Sequence, residues 1–311
     1  MLAPIVLLAF AALAIICGPR LLLGSAWVRR APGWGVMAWH ALTLSVVAAV
    51  ALFGFTLATP VSPLAEPIAR LFRTTPTEVV EHYQTPAGVW LAYTAVFAVA
   101  GFTVWMLWLT ISTLIDTTRS RRAHLRLLRM LGRDHPGGFV LVEHSQALVY
   151  CLPGLRKRVV VTTAALELLD AHQLELVLAH EKSHLRSRHD IAIALADVLR
   201  RTFRPLRLFT VAHEQVRTLI EMQADDAAHD RHGLARALVT LGSGTPEPGL
   251  SAGDVATFAR VQRLTNGAGP WKRRQSFAVC LATTTLLATP IALATTPMME
   301  MIIIGCTTVL G

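Results

Sequence analysis

Apolar residues gather along this chain in four runs, each long enough to cross a hydrocarbon layer of roughly 30 Å as a helix of about 20 residues. The runs cover about residues 2–17, extending to 23 if the helix continues past Arg20, then 34–58, 89–115 and 277–296. The first is short and N-terminal, as a signal peptide would be. No basic residue precedes it, however, and Arg20, Arg29 and Arg30 follow it, so it reads as a signal anchor with its N-terminus outside. Between the third and fourth runs lie about 160 residues with a different pattern, enough to bury a small core of their own.

That intervening segment starts with a basic helix over 119–133, whose leucines form one apolar stripe, and Pro136, Gly137 and Gly138 are expected to stop it. Three β-rich runs follow, Phe139–Glu143, Ala147–Leu152 and Val159–Thr162, which predict a small antiparallel sheet. From Ala164 the period becomes helical. Asp170 is the expected N-cap of a helix carrying Leu174, Val177, Leu178 and Leu185, with further helices over about Ile191–Arg201 and Val211–His229 and a loop over Gly242–Gly253.

Composition agrees with a membrane class: 53% of the residues are hydrophobic and only 16% charged. The net charge of +9 would fit a nucleic-acid binder, but the basic residues crowd beside the spans, where they set topology and meet anionic lipid, so no direct nucleic-acid contact is expected. Arg20, Arg29 and Arg30 after the first span, and six arginines between 119 and 133 after the third, assign both loops to the cytoplasm. The 59–87 loop, with Arg70 and Arg73 against three glutamates, then faces outward, and both termini are extracytoplasmic. The four cysteines are scattered and suggest neither a CxxC metal site nor a disulfide framework.

The chemistry is concentrated in His180-Glu181-Lys182-Ser183-His184, an HExxH pattern expected by chance only about 0.02 times in a chain of this composition. On a helix, residues i and i+4 share a face, so both imidazoles can converge on one Zn²⁺. Glu181 is turned about 100° away, free to act on water rather than on the metal. A catalytic zinc requires a third protein ligand. The longer HExxHxxGxxH arrangement fails, because Ser187 and Asp190 occupy the last two positions and His189 is one residue off register. Glu221 is the favoured third ligand, with Asp225 one turn further on the same helix face as an acceptor for a histidine N–H. His213, Arg217 and Tyr150 stand as candidates for stabilising an oxyanion.

These residues carry a family resemblance. The segments LAHEKSHLRSRHD (178–190) and EMQADDAA (221–228), set after three spans and before a fourth, resemble the BlaR/MecR-type antirepressor membrane metallopeptidases over essentially the whole chain. The resemblance implies a mainly α membrane protein: four transmembrane helices, with a cytoplasmic α+β zincin-like metalloprotease domain inserted between the third and fourth. The divisions are 1–115, 116–275 and 276–311. It implies one Zn²⁺ per chain on His180, His184 and Glu221, with Glu181 as general base, and a protein substrate such as a cytoplasmic transcriptional repressor. Members that sense β-lactams carry a penicillin-binding domain after the fourth span. This chain reaches Gly311 about 15 residues past that span, so signal entry through the spans, the 59–87 loop or a partner is expected. Two rivals differ in class: a quality-control protease resembling the HtpX or Ste-type families, and a non-catalytic zinc-binding receptor or scaffold. The 36 residues separating His184 from Glu221 lean towards the antirepressor type.

The charge asymmetry makes a topological prediction. Reporter fusions placed after Arg73 and after Arg133 should report opposite sides of the membrane; the same side for both would break the arrangement of three spans before the motif and one after it.

Overall fold

The computed structural model describes residues 2–61, 65–72, 74–83, 88–154, 157–243, 260–265, 269 and 271–310. The fold is mainly helical with one small mixed sheet. Among the described residues four helices are long and apolar enough to cross a membrane: Ala3–Gly24, Pro32–Val61, Val89–Leu128 and Arg273–Met299. Their windows coincide with the four apolar runs, because a bilayer leaves the backbone no water to bond and forces such runs into helix.

The first span is α1 (Leu2–Gly24). A short α2 (Ala26–Arg30) leads into α3 (Pro32–Ala58), which begins with Pro in its first turn, where the missing N–H costs no bond. Two short helices, α4 (Ala65–Phe72) and α5 (Pro76–Tyr83), join α3 to the long α6 (Gly88–Leu131). They close over the end of the fourth span, with Val79 and Met298 fully buried together and the Tyr83 hydroxyl donating to the Ala294 carbonyl at 2.9 Å.

At the end of α6 the structure departs from expectation. The helix stops at Leu131, and Gly132–His135 forms a strand, β1, paired antiparallel with β2 (Phe139–Val142). Pro136, Gly137 and Gly138 therefore make a hairpin turn, with Gly138 at φ +79°, instead of ending a helix. Gly132 makes the helix-to-strand transition possible, since a Cβ there would lie 2.5 Å from Val140 and 2.6 Å from the Leu128 carbonyl.

The sheet has four strands, in the order β1-β2-β4-β3, where β3 is Val149–Leu152 and β4 is Arg158–Thr162. β2 and β4 are parallel, so the purely antiparallel sheet expected from the sequence is corrected to a mixed one. The reason is burial. Val159, Val160 and Val161 are covered on both faces, at 4%, 0% and 0% exposure, and a continuous apolar run of this kind belongs in the interior of a sheet. β3 is half-buried at every position and takes the edge.

After α7 (Thr163–Leu168) come the helices that build the site: α8 (Ala171–Arg186), α9 (His189–Thr202), α10 (Arg207–Asp225) and α11 (Arg231–Ser243). Asp170 caps α8 as the sequence predicts, in a capping box with Gln173. The loop expected over Gly242–Gly253 lies, past Ser243, outside the described residues.

The largest core does not divide membrane helices from the rest. Trp39, Leu42 and Val46 of α3 pack with Leu199 of α9 and with Phe209, Val216, Leu219 and Ile220 of α10 in one buried cluster. Gly35 allows the close approach of α3 and α10, because a Cβ there would stand 2.9 Å from Val28 and 3.0 Å from Leu219. Replacing Gly35 with Leu should separate these helices and lower stability by about 1–3 kcal/mol, read as a lower Tm of the detergent-purified protein. Gly101→Ala, inside α6 where nothing lies within 4 Å, is the control and should not lower Tm.

Candidate metal centre

Helix α8 carries His180 and His184 on one face, with Glu181 turned about 100° from His180, while Leu178 and Leu185 on its back are buried. Helix α10 brings Glu221 and Asp225 against it, held by its own apolar face on α3. The structure thus brings together all five residues singled out from the sequence. The Nε2 atoms of His180 and His184 are 3.1 Å apart, and Glu221 oxygens lie 3.5 Å from His180 Nε2 and 3.7 Å from His184 Nε2. Each of the three residues offers one ligand atom, all within 4.8 Å of one another.

The donor set fits a zinc ion. Two imidazole nitrogens bound tetrahedrally at about 2.0–2.1 Å would be about 3.3 Å apart, close to the separation found, and a carboxylate oxygen is the third donor type such sites use. Each far nitrogen has a partner close by, as metal-binding imidazoles require. His180 Nδ1 lies 3.0 Å from the Asp225 carboxylate. His184 Nδ1 lies 2.9 Å from His189 Nδ1, and in the tautomer in which His184 Nδ1–H donates there, its Nε2 is unprotonated and free for a metal. His189, one residue out of register for a ligand, sits behind His184.

One residue escaped the sequence reading. Arg260, in the helical turns of residues 260–265, forks onto Asp225 through Nε (2.9 Å) and an η nitrogen (2.6 Å), and its other η nitrogen lies 3.1 Å from Glu221. Arg263, one turn on, grips Asp226 at 2.8 and 2.9 Å and also donates to the Met222 carbonyl. The only trace in the sequence was an Asp-Asp pair and two arginines three residues apart far downstream, which specifies no pairing. Of the three candidates for oxyanion stabilisation, Tyr150 directs its hydroxyl to His124 at 2.8 Å and His213 faces Asp197 at 3.9 Å. Arg217 contributes to the field at His213.

Charges in this pocket are set by burial and partners. Burial alone would lower His180, but Asp225 and Glu221 outweigh it and bring it up to about 9. His184, desolvated and facing other imidazoles with less compensation from Glu221, falls to about 4. Burial opposes ionisation of Glu221, yet the His180 hydrogen bond and Arg260 hold it down to about 2. Glu181 goes the other way: burial raises it above its ordinary 4.5 although the Cys151 backbone and thiol bond to it. The Cys151 thiol, buried beside Glu181, is pushed up to about 12.

Residues 115–218 match the model of peptidase family M48, a family of zinc metallopeptidases. The match takes in His180, Glu181 and His184 and stops before Glu221. With the four apolar helices, it supports a membrane metallopeptidase. Comparison of the chain with curated proteins and with solved structures gives no match.

Proton competition gives a testable pH dependence. His180, near 9 when no metal is bound, must lose its proton to become a ligand. Zinc affinity should therefore rise with pH and, below about pH 9, weaken by up to about tenfold per unit of acidification. Asp225→Asn removes the acceptor behind His180 and should weaken zinc binding by roughly 10–100-fold, both effects measured by competitive zinc titration.

Proposed function

We propose that this chain is an integral-membrane zinc-dependent endopeptidase. His180, His184 and Glu221 hold one Zn²⁺, Glu181 is the general base, and Asp225 orients His180. The observation that carries the reading is the convergence of two histidine Nε2 atoms, 3.1 Å apart, on the Glu221 carboxylate, with the buried Glu181 beside them. The zinc, when bound, acidifies water and polarises the scissile carbonyl.

The chain's own residues do the rest. Glu181, kept basic but with a raised affinity for protons, takes the proton of the attacking water and returns it to the departing amine. The Cys151 backbone fixes its carboxylate from β3. β3 is an edge strand with no further strand beyond it among the described residues, so an extended substrate can pair with it next to α8. Arg260 and Asp225 hold the carboxylate side of the centre rigid.

The substrate in this reading is a cytoplasmic or membrane-proximal protein, such as a transcriptional repressor whose removal relieves repression. The catalytic segment is cytoplasmic and both termini lie outside. The order of the spans and the short interval from His184 to Glu221 support this finer assignment. The family match bears on the chemistry alone and accommodates a quality-control protease equally.

Glu181→Gln is the decisive variant. It should keep zinc and membrane insertion while proteolysis falls by roughly 10²-fold or more. A quantitative proteome of cells bearing the wild-type or the Glu181→Gln chain then separates the roles. Loss of cleavage of one regulatory protein supports derepression, and accumulation of many membrane proteins supports quality control. Full biological output from Glu181→Gln, with none from His180→Ala, would falsify the hydrolase reading and leave a receptor or scaffold with structural zinc.

A further inference from the structure

Away from the metal centre, α1, α3 and the C-terminal helix (Arg273–Leu310) do not close on one another completely. They leave a cavity of about 510 Å³, within the range of small-molecule sites. Ala14, Cys17 and Leu21 line it from α1, Ala38 from α3, and Ala282 and Thr283 from the C-terminal helix. The lining is apolar, and the Thr283 hydroxyl is already committed to the Val279 and Cys280 carbonyls of its own helix. No polar ligand is recognised by such walls. Inside a bilayer the species that fits them is a hydrocarbon chain.

One end of the cavity is chemically different. Trp27 forms part of the wall and stands 6.3 Å from Trp271, ring to ring, an aromatic pair of the kind that marks a membrane–water boundary. In sequence Arg20, Arg29 and Arg30 flank Trp27, and Lys272, Arg273 and Arg274 directly follow Trp271, all exposed. Arg273 is six residues, or about 9 Å of helix, from Val279 in the cavity wall. A hydrocarbon slot with an aromatic pair at one end and six exposed cations within seven residues of that pair in sequence matches an amphiphile with an apolar tail and an anionic head.

We propose that this cavity is a specific site for one anionic phospholipid, with an acyl chain between α1, α3 and the C-terminal helix and its phosphate on the Arg and Lys cluster around Trp27 and Trp271. The proposal rests on the spans lying in a membrane and is independent of the peptidase chemistry. Because the walls belong to the first, second and fourth spans, an occupant holds those three helices together. Bulk lipid coating the outer surface would have no such preference for head group or position.

The test is native mass spectrometry of the full chain in detergent, with phosphatidylglycerol or phosphatidylcholine of identical chains added at equal concentration. One phosphatidylglycerol should be retained at energies that strip the rest, with phosphatidylcholine held roughly tenfold or more weakly, since each basic residue near an anionic surface contributes substantially. Arg273→Gln with Arg274→Gln, both on the exposed surface, should erase most of that preference. Ala282→Phe should fill the slot and abolish retention of either lipid; if it aggregates on size-exclusion chromatography, Ala14→Phe fills the same slot from the opposite wall. Equal retention of the two lipids, unchanged phosphatidylglycerol binding in the double arginine variant, unchanged binding in a folded cavity-filled variant, or retention of detergent alone would each overturn the proposal.

Discussion

The arrangement of this protein depends on a buried carboxylate. Asp225 is 0% exposed, and a charge taken that far from water is tolerated only when partners replace the lost solvation. His180 provides one partner and the Arg260 guanidinium the other. Through these contacts α8, α10 and the segment before the fourth span are held in one geometry. If His180 moved, Asp225 would lose one of two partners; if Arg260 withdrew, His180 would be left to balance Asp225 and Glu221 together. The opposing shifts of His180 and His184 follow from the same asymmetry, since Asp225 stands behind one imidazole and another histidine behind the other.

A second constraint fixes where this network sits. The helix that supplies Glu221 and Asp225 is amphipathic, and its apolar face is buried against α3, a span, rather than against the sheet. The sheet and α7 form a separate cluster with Leu178 and Leu185 on the back of α8. The metal centre therefore lies at the seam of two cores, one shared with the membrane helices and one with the sheet. A change in either core would reach the His180–Glu221 spacing without altering any residue of the centre.

Much of this was legible in the sequence because it depends on local periodicity. The four spans follow from run length, the cap of α8 from Asp170 and Gln173, and the shared face of His180 and His184 from their spacing of four. The meeting of Glu221 with those histidines was also legible, since the spacing of Glu221 and Asp225 matches one helix face. The strand order was misjudged because chain order suggested hairpins. The three consecutive buried valines of β4 were the available sign of a central strand. Arg260 was invisible for a different reason: a salt bridge spanning 35 residues of chain leaves no periodic mark, and an arginine beside an apolar stretch looks like any solvated cation. The core shared by α3 and α10 was hidden in the same way, because an apolar helix face does not say what covers it.

The close fit at Gly35 has a consequence for reach. With α10 resting directly on α3, one of the candidate spans, His180, His184 and Glu221 are tied to that helix instead of hanging from a tether, which in a bilayer would give them a set height. The fold acts as a ruler. In the proposed peptidase a peptide bond would reach His180 and His184 only where its own chain places it at that height, so distance from the membrane would select alongside side-chain identity.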